Sequence, residues 1–397
     1  MALELKLRVS QKIAELDPHQ WDACANPETE GAARGRGNPF VSHRFLAALE
    51  ASKSVGARTG WHPAHVIVED GAGTMLAAAP TYFKSHSMGE YIFDHAWADA
   101  YQRAGGEYYP KLLVAVPFTP ASGPRLLLRG AAPGDQAIAR AALIRGLRNL
   151  AQQNSASSLH INFPTEPEWQ FLQQAGFLAR TGQQFHFINK GYADFEAFLA
   201  DLASRKRKMI RRERQEALAP GIEIHALNGA QITSEHWDAF FEFYMDTGNR
   251  KWGRPYLTRA FFDEIGRTMA EDILLILARR QGRWIAGAIN FLGDDAVFGR
   301  NWGASEHHPF LHFEVCYYQA IEYAIKHRLA RVEAGAQGEH KLARGYGPVT
   351  TYSAHEFEDP RMMHAIGDYL ARERMHVDAE IEMYSEHTPF RRLNISC

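Results

Sequence analysis

Cysteine is scarce in this chain. Its 397 residues include only Cys24, Cys316 and Cys397, too few and too scattered for a disulfide framework or a CxxC metal site, which fits a reducing compartment. No metal site is expected. Charge of one sign is lacking too. The 44 Lys and Arg stand against 46 Asp and Glu, a net charge of −2, so any basic site is a local patch on a neutral protein. No apolar run approaches the ~20 residues that a membrane span needs. Met1 to Gln11 alternates polar and apolar residues without the apolar stretch of a signal peptide. Together these absences lead us to expect a cytoplasmic protein without a membrane span. Hydrophobic residues at 46% and charged residues at 23% are ordinary globular values, which excludes disordered and collagen-like classes. The length suits about two domains.

What the chain does contain is a copy of itself. Adding 216 to Trp21-Asp22-Ala23 gives Trp237-Asp238-Ala239, and the same offset carries Gly37-Asn38-Pro39-Phe40-Val41-Ser42-His43-Arg44-Phe45 onto Gly253-Arg254-Pro255-Tyr256-Leu257-Thr258-Arg259-Ala260-Phe261. An offset of 209 carries Leu76–Tyr82 onto Ile285–Phe291. A period this long is a duplicated domain, since solenoid repeats run to about 20–50 residues.

The second copy reads as a strand at Ile222–Leu227, a helix after Ser234 and another after Thr258. Strands follow at Ile273–Leu277, Trp284–Leu292 and Val297–Trp302, joined by turns at Gln281-Gly282 and Asp294-Asp295. A helix at Phe313–His327 and strands at Arg331–Ala336 and Val349–Phe357 complete it. This is the element order of the GNAT superfamily, so the expected fold is α/β, with a mixed sheet in each of two tandem GNAT-like acyltransferase domains. The boundary falls between 182 and 183: residues 1–182 form the first domain and 183–397 the second. The second carries a basic helix at 195–218.

Three segments carry candidate chemistry. Ser204 to Arg214 holds seven basic side chains in eleven residues. Their mutual repulsion calls for a counter-charge, and phosphate from a nucleotide-linked substrate or tRNA supplies one; Arg207 and Arg211 are the candidate contacts. The alternative is a solvated face paired with acids elsewhere. Next, Glu333 to Tyr346 mixes small residues, which let a backbone approach a ligand, with two carboxylates, an imidazole and cations. Acyl transfer to an amine needs a base and oxyanion donors. Glu333, Glu339 and His340 are the candidate bases, and Gln337, Lys341 and Arg344 the candidate substrate contacts. Finally, Arg300 and Trp302 stand at the strand end where GNAT folds splay open for the acyl donor. Cys316 beside two tyrosines reads as core. In the first copy, Asp94 and His95 form a candidate charge-assisted pair within a polar-aromatic stretch.

The segments GNPFVSHRFLAALE, KSHSMGEYIFDHAWADAYQRAGGEYYPKL, SRKRKMIRRER, TGNRKWGRPYLTRAFF and EAGAQGEHKLARGY together resemble the FemAB-like peptidoglycan biosynthesis/recognition family of predicted N-acyltransferases, over about residues 1 to 393. The resemblance implies two GNAT-like domains, and transfer of an acyl or aminoacyl group to the amine of a peptidoglycan precursor or another nucleotide-linked metabolite. It places the basic helix near phosphate and Gly335–Tyr346 along the cleft of the second domain. The acyl donor it implies is acyl-CoA or aminoacyl-tRNA. The pyrophosphate loop of CoA-using enzymes, Q/R-x-x-G-x-G/A, is approached only by Arg300-x-x-Gly303-Ala304-Ser305, which lacks the final small Gly/Ala position. The coiled-coil insertion of Fem transferases has no counterpart here. The alternative function is a non-catalytic module that binds a phosphate-bearing or cell-wall ligand.

Overall fold

A computed structural model describes residues 4–27, 37–130, 132–251, 255–335 and 338–391. The chain forms two compact units, Met1–Gly182 with Thr351–Val377, and Gln183–Thr350 with Asp378–Cys397.

The first unit opens with β1 (Leu5–Ser10), α1 (Pro18–Ala25) and α2 (His43–Ala51). Asp17 caps α1 by accepting from the Gln20 N–H, and Ser42 caps α2. Trp21 is buried on α1 and donates its indole N–H to the Val41 carbonyl at 2.9 Å. β2 (Trp61–Pro63), β3 (His65–Asp70), β4 (Met75–Ala79) and β5 (Thr81–Lys84) follow. β4 and β5 are one run of chain interrupted by Pro80, which has no N–H for a ladder. The break lets β4 pair with β3 while β5 pairs with β2. α3 (His95–Arg103) precedes β6 (Lys111–Val114) and β7 (Leu127–Leu128), and then come α4 (Pro133–Gln153), β8 (Ser158–Asn162), α5 (Glu166–Gln174) and β9 (Leu178–Ile188). One sheet runs β1-β3-β4-β7; in the other, β6 pairs antiparallel with β5 and parallel with β8. α4 packs Leu143 and Leu147 onto Val66, Ala77, Leu112 and Ile161.

The second unit continues with α6 (Phe195–Asp201), α7 (Ser204–Leu218), β10 (Ile222–Asn228), α8 (Ser234–Lys251) and α9 (Arg259–Thr268). The basic helix expected over 195–218 is thus two helices. Buried Leu202 bridges to Phe390 between them, and the Ala203 N–H donates to the Pro389 carbonyl. The antiparallel strands β11 (Ile273–Arg280), β12 (Arg283–Leu292) and β13 (Ala296–Ala304) form the meander. At the offset of 209, Ile289 stands where Pro80 interrupts the first copy, so β12 is unbroken; it keeps only a register shift between Ile289 and Asn290. Trp237 and Phe261, the counterparts of Trp21 and Phe45, are buried on α8 and α9.

A short helix α10 (Leu311–Phe313) runs into a π turn at Glu314–Tyr318 and then α11 (Gln319–Lys326). β14 (Arg331–Glu333), a 3-10 turn at Glu339–Arg344, β15 (Tyr346–Phe357) and α12 (Pro360–Glu386) complete the described chain. Residues 351–377, read from the sequence as part of the second copy, belong to the first unit. The parallel β6–β8 pair leaves the far edge of β8 open, and β15 closes it with His355 opposite His160. Residues 183–188 of β9 serve β14 in the same way, with His186 opposite Glu333.

Candidate active site

In the second unit β13 pairs in parallel with β14 only from Ala296 to Phe298, and β14 ends at Glu333. Beyond that point β13 runs on to Ala304. A cavity of about 90 Å³ opens here, walled by Ala288 and Asn290 of β12, Gly299, Arg300 and Trp302 of β13, and His312, Cys316 and Tyr317 of the helical segment. The π turn widens the helix at this point, so the adjacent residues Cys316 and Tyr317 both reach the cavity; π turns recur at functional sites. The Trp302 and His312 rings meet edge-on at 5.2 Å.

Several sequence candidates gather around this cavity. Arg300 and Trp302 line it. His340 lies against its wall: its Nε2 is 2.9 Å from the Tyr317 hydroxyl. The partial burial of the imidazole, then the cations Arg344 and Lys341, lower its pKa below the ordinary 6.5, so it is neutral at pH 7. Burial pushes the Tyr317 phenol up, which keeps its proton in place for donation. Lys341 is buried, donates to the Gly335 carbonyl at 2.9 Å, and burial lowers its pKa to about 8. It therefore ties down the loop after β14. Arg344 is clamped by both oxygens of buried Glu213, at 3.0 and 2.7 Å, and stacks on Phe313. Its pairing makes it a brace between the 3-10 turn and α7.

Glu333 is buried at the end of β14. Its neighbour Val332 enters the core beneath α11, so strand alternation turns Glu333 to the opposite face. There it accepts from Arg331 at 2.9 Å and sits 3.9 Å from His186. Burial raises its pKa, partly offset by Arg331. Burial also pushes His186 down to about 3, so that imidazole is neutral. Glu339 lies in the 3-10 turn one residue before His340. Gln337 falls outside the described residues.

The basic helix divides into two parts. Arg214 bonds Glu314 and Glu322, Arg212 bonds Glu216, and Arg211 bonds Glu196. Arg205, Lys206, Arg207 and Lys208, in the opening turn of α7, pair with no acid among the described residues. A phosphate counter-charge would therefore meet that turn, whereas Arg211 is already answered by Glu196.

In the first unit Asp94 does not pair with His95, which is exposed. Asp94 instead accepts from Lys111 and, at 2.7 Å, from the Tyr108 hydroxyl. Lys111 also donates to Glu90 at 2.8 Å, and Lys84 stands 3.8 Å from the same carboxylate with its ammonium over Trp61. Lys84 and Lys111 are register partners on β5 and β6, and both are 0% exposed. Two lysines directly opposite one another in a sheet repel; Glu90 and Asp94 make the arrangement tenable. The sequence signal was the lysine at each strand end, KSHS after Tyr82-Phe83 and PKLL before Val114. Asn290 was also missed, although it is the one polar residue in the apolar run IAGAINFL.

Among the described residues no helix is long and apolar enough to cross a membrane. Two tandem units of GNAT-like order, the second splayed between β13 and β14, define the class by its architecture: the protein has a tandem GNAT-like fold. The chain belongs to the FemAB-like family, described as peptidoglycan biosynthesis/recognition, whose profile matches residues 12–392. Solved structures with a similar fold include FemX, at 12% identity and a TM-score of 0.51, covering 91% of this chain and 100% of that one. Another is the C-terminal domain of a protein described as a lysylphosphatidylglycerol synthetase from Agrobacterium fabrum, at 9% identity and a TM-score of 0.54, covering 90% and 96%. L-PGS from Bacillus licheniformis matches at 10% identity and a TM-score of 0.50, covering 85% and 99%. No curated protein matches the sequence significantly.

Proposed function

We propose that the cavity of the second unit is the transfer site, where an acyl or aminoacyl group passes to an amine acceptor such as a peptidoglycan precursor or another nucleotide-linked metabolite. The observation that carries this reading is the Tyr317–His340 hydrogen bond on the wall of the splayed strands. As the amine attacks the acyl carbonyl, its proton passes to the Tyr317 oxygen while the phenolic proton moves to His340 Nε2. In the return direction the same pair delivers a proton to the leaving oxygen or sulfur of the donor. Tyr317 is thus the group at the reacting atoms, and His340 acts through it.

The donor, acyl-CoA or aminoacyl-tRNA, and a nucleotide-linked acceptor all carry phosphate. The cations of α7 that pair with no acid among the described residues, Arg205 to Lys208, suit that charge. Replacing Arg207 by Glu is expected to weaken binding of bulk tRNA or CoA and to lower the dependence of log K on log salt by about one for each phosphate no longer neutralised. The melting temperature should stay nearly unchanged, because Arg207 is only partly buried and pairs with no acid among the described residues, and such a charge contributes little to stability. Unfolding with affinity per folded molecule intact would show the residue to be structural.

The same cations would serve a non-catalytic binding module. A panel of acyl-CoAs and aminoacyl-tRNAs crossed with amine acceptors separates the two readings: product from any pair supports the transferase, and binding without turnover across all pairs supports the module.

A further inference from the structure

We infer that the side-chain carbonyl of Asn290 is a receptor for the N–H of a neutral primary amine, which makes the cavity of the second unit an amine subsite. This rests on the transfer reading above and names what the cavity selects.

Asn290 is 1% exposed. Its Nδ2 donates to the Leu274 carbonyl at 3.2 Å, which fixes the amide orientation, because a carbonyl oxygen could not take that place. Its Oδ1 has no hydrogen-bond partner among the described residues. A buried acceptor left unpaired is costly and calls for a donor from a ligand. The space above Oδ1 is open because the residue opposite is Gly299: a Cβ there would lie 3.3 Å from Oδ1 and 3.4 Å from the Glu333 carbonyl. The strand register shifts at this point, between Ile289 and Asn290.

The remaining lining determines the kind of donor. Among the described residues it holds Arg300 and no carboxylate. A cationic ammonium gains nothing there, whereas a neutral amine, the form that attacks an acyl carbonyl, can donate to Oδ1. About 90 Å³ is roughly three water volumes, enough for an aminomethyl or small aminoacyl group. Two sources share this chemistry: the attacking amine of the acceptor and the α-amino group of an aminoacyl donor.

The test uses the full chain and two probes, glycinamide and its N,N-dimethyl analogue, which has no amine N–H when neutral. For the wild type, glycinamide should raise the melting temperature more at pH 9 than at pH 7, and the dimethyl analogue should do neither. Asn290→Asp places an anion at the same position and should reverse the preference, with stronger stabilisation at pH 7. Gly299→Ala should abolish the response with Asn290 intact, and it serves as the test if the aspartate variant fails to fold. Equal stabilisation by the two probes, or no response in the wild type, would overturn the inference.

In the transfer reaction, Gly299→Ala should raise KM about tenfold or more with kcat less affected, the signature of lost binding rather than lost chemistry. The rise falls on the acceptor if the acceptor supplies the amine. It falls on aminoacyl-tRNA but not on its N-acetylated form if the donor does. Amine selectivity without transfer from any donor would sink the transfer reading alone. Transfer with unchanged KM for both substrates would sink this inference alone.

Discussion

Replacing Lys111 by Met is expected to destabilise the first unit by about 3–5 kcal/mol, the cost of leaving a buried charge without its partner. Lys111 is 0% exposed and is the shared donor to Ser87, Glu90 and Asp94. Burial alone would lower its pKa, but Glu90 and Asp94 hold it above the ordinary lysine value, so it stays charged. Asp94, which burial would raise, is held below its ordinary value by Lys111. Removing the ammonium strands both carboxylates. Chemical denaturation of the wild type and Lys111→Met measures the loss; a change under about 1 kcal/mol would mean that the carboxylates find other partners or protonate without penalty.

The same cluster makes stability depend on pH. Burial raises Glu90 from 4.5 to about 7, with partial relief from Lys111. Burial lowers Lys84 from 10.5 to about 7, only partly offset by Glu90. Between pH 4.5 and 7 the folded protein keeps a proton on Glu90 that the unfolded chain has released, so this contribution falls as pH rises. Between 7 and 10.5 the folded protein has lost a proton on Lys84 that the unfolded chain retains, so that contribution grows as pH rises. The two give a stability minimum near pH 7. Relative to the double variant Lys84→Met/Glu90→Gln, the wild-type melting temperature should dip there; a flat difference would refute the assignment.

Replacing Tyr317 by Phe is expected to lower turnover by about 100-fold or more, the usual contribution of a positioned acid–base group. The ring keeps its packing against Phe313 and Tyr346, so folding should be preserved and substrate affinity nearly so. The wild-type rate should be level around neutral pH, where His340 is neutral, and fall in acid below 6.5 as the imidazole gains a proton and can no longer accept one. Tyr317→Phe should lose that acid limb together with most of its rate. A variant with normal kcat would show that the substrate's amine loses its proton directly to water or to another group.

The duplication was legible because its markers are large and unambiguous. Trp21 and Trp237, and Phe45 and Phe261, are buried at corresponding places in each copy, and a tryptophan at fixed spacing from a Gly-x-Pro sequence leaves little room for coincidence. The meander was legible from its turns and apolar runs. Less readable was anything decided by distant strand pairing. Nothing local in Thr351–Phe357 says that its edge partner is β8, some 190 residues earlier in the chain. The Leu202–Ala203 break between α6 and α7 depends on Phe390 and Pro389, also remote. Asp94 and His95 are adjacent in sequence, but successive residues at a helix start point apart, and Lys111 reaches the carboxylate from β6. For the cavity, the strand end at Arg300–Trp302 was readable from element order. Tyr317 and Asn290 were not, because an apolar run and a helix interior conceal which face meets the splay.

Transfer of an acyl group in the second unit's cavity, with Tyr317 and His340 moving the proton, is the proposal on which the rest depends. Its most direct test is a single-turnover reaction with an isotopically labelled donor, either acyl-CoA or aminoacyl-tRNA, and an amine acceptor, run with the wild type and His340→Ala at pH 7. The prediction is label on the acceptor nitrogen in the wild type, and a rate about 100-fold lower in the variant with donor and acceptor binding unchanged. Equal rates in the two proteins, or bound donor that never yields labelled product in the wild type, would contradict it.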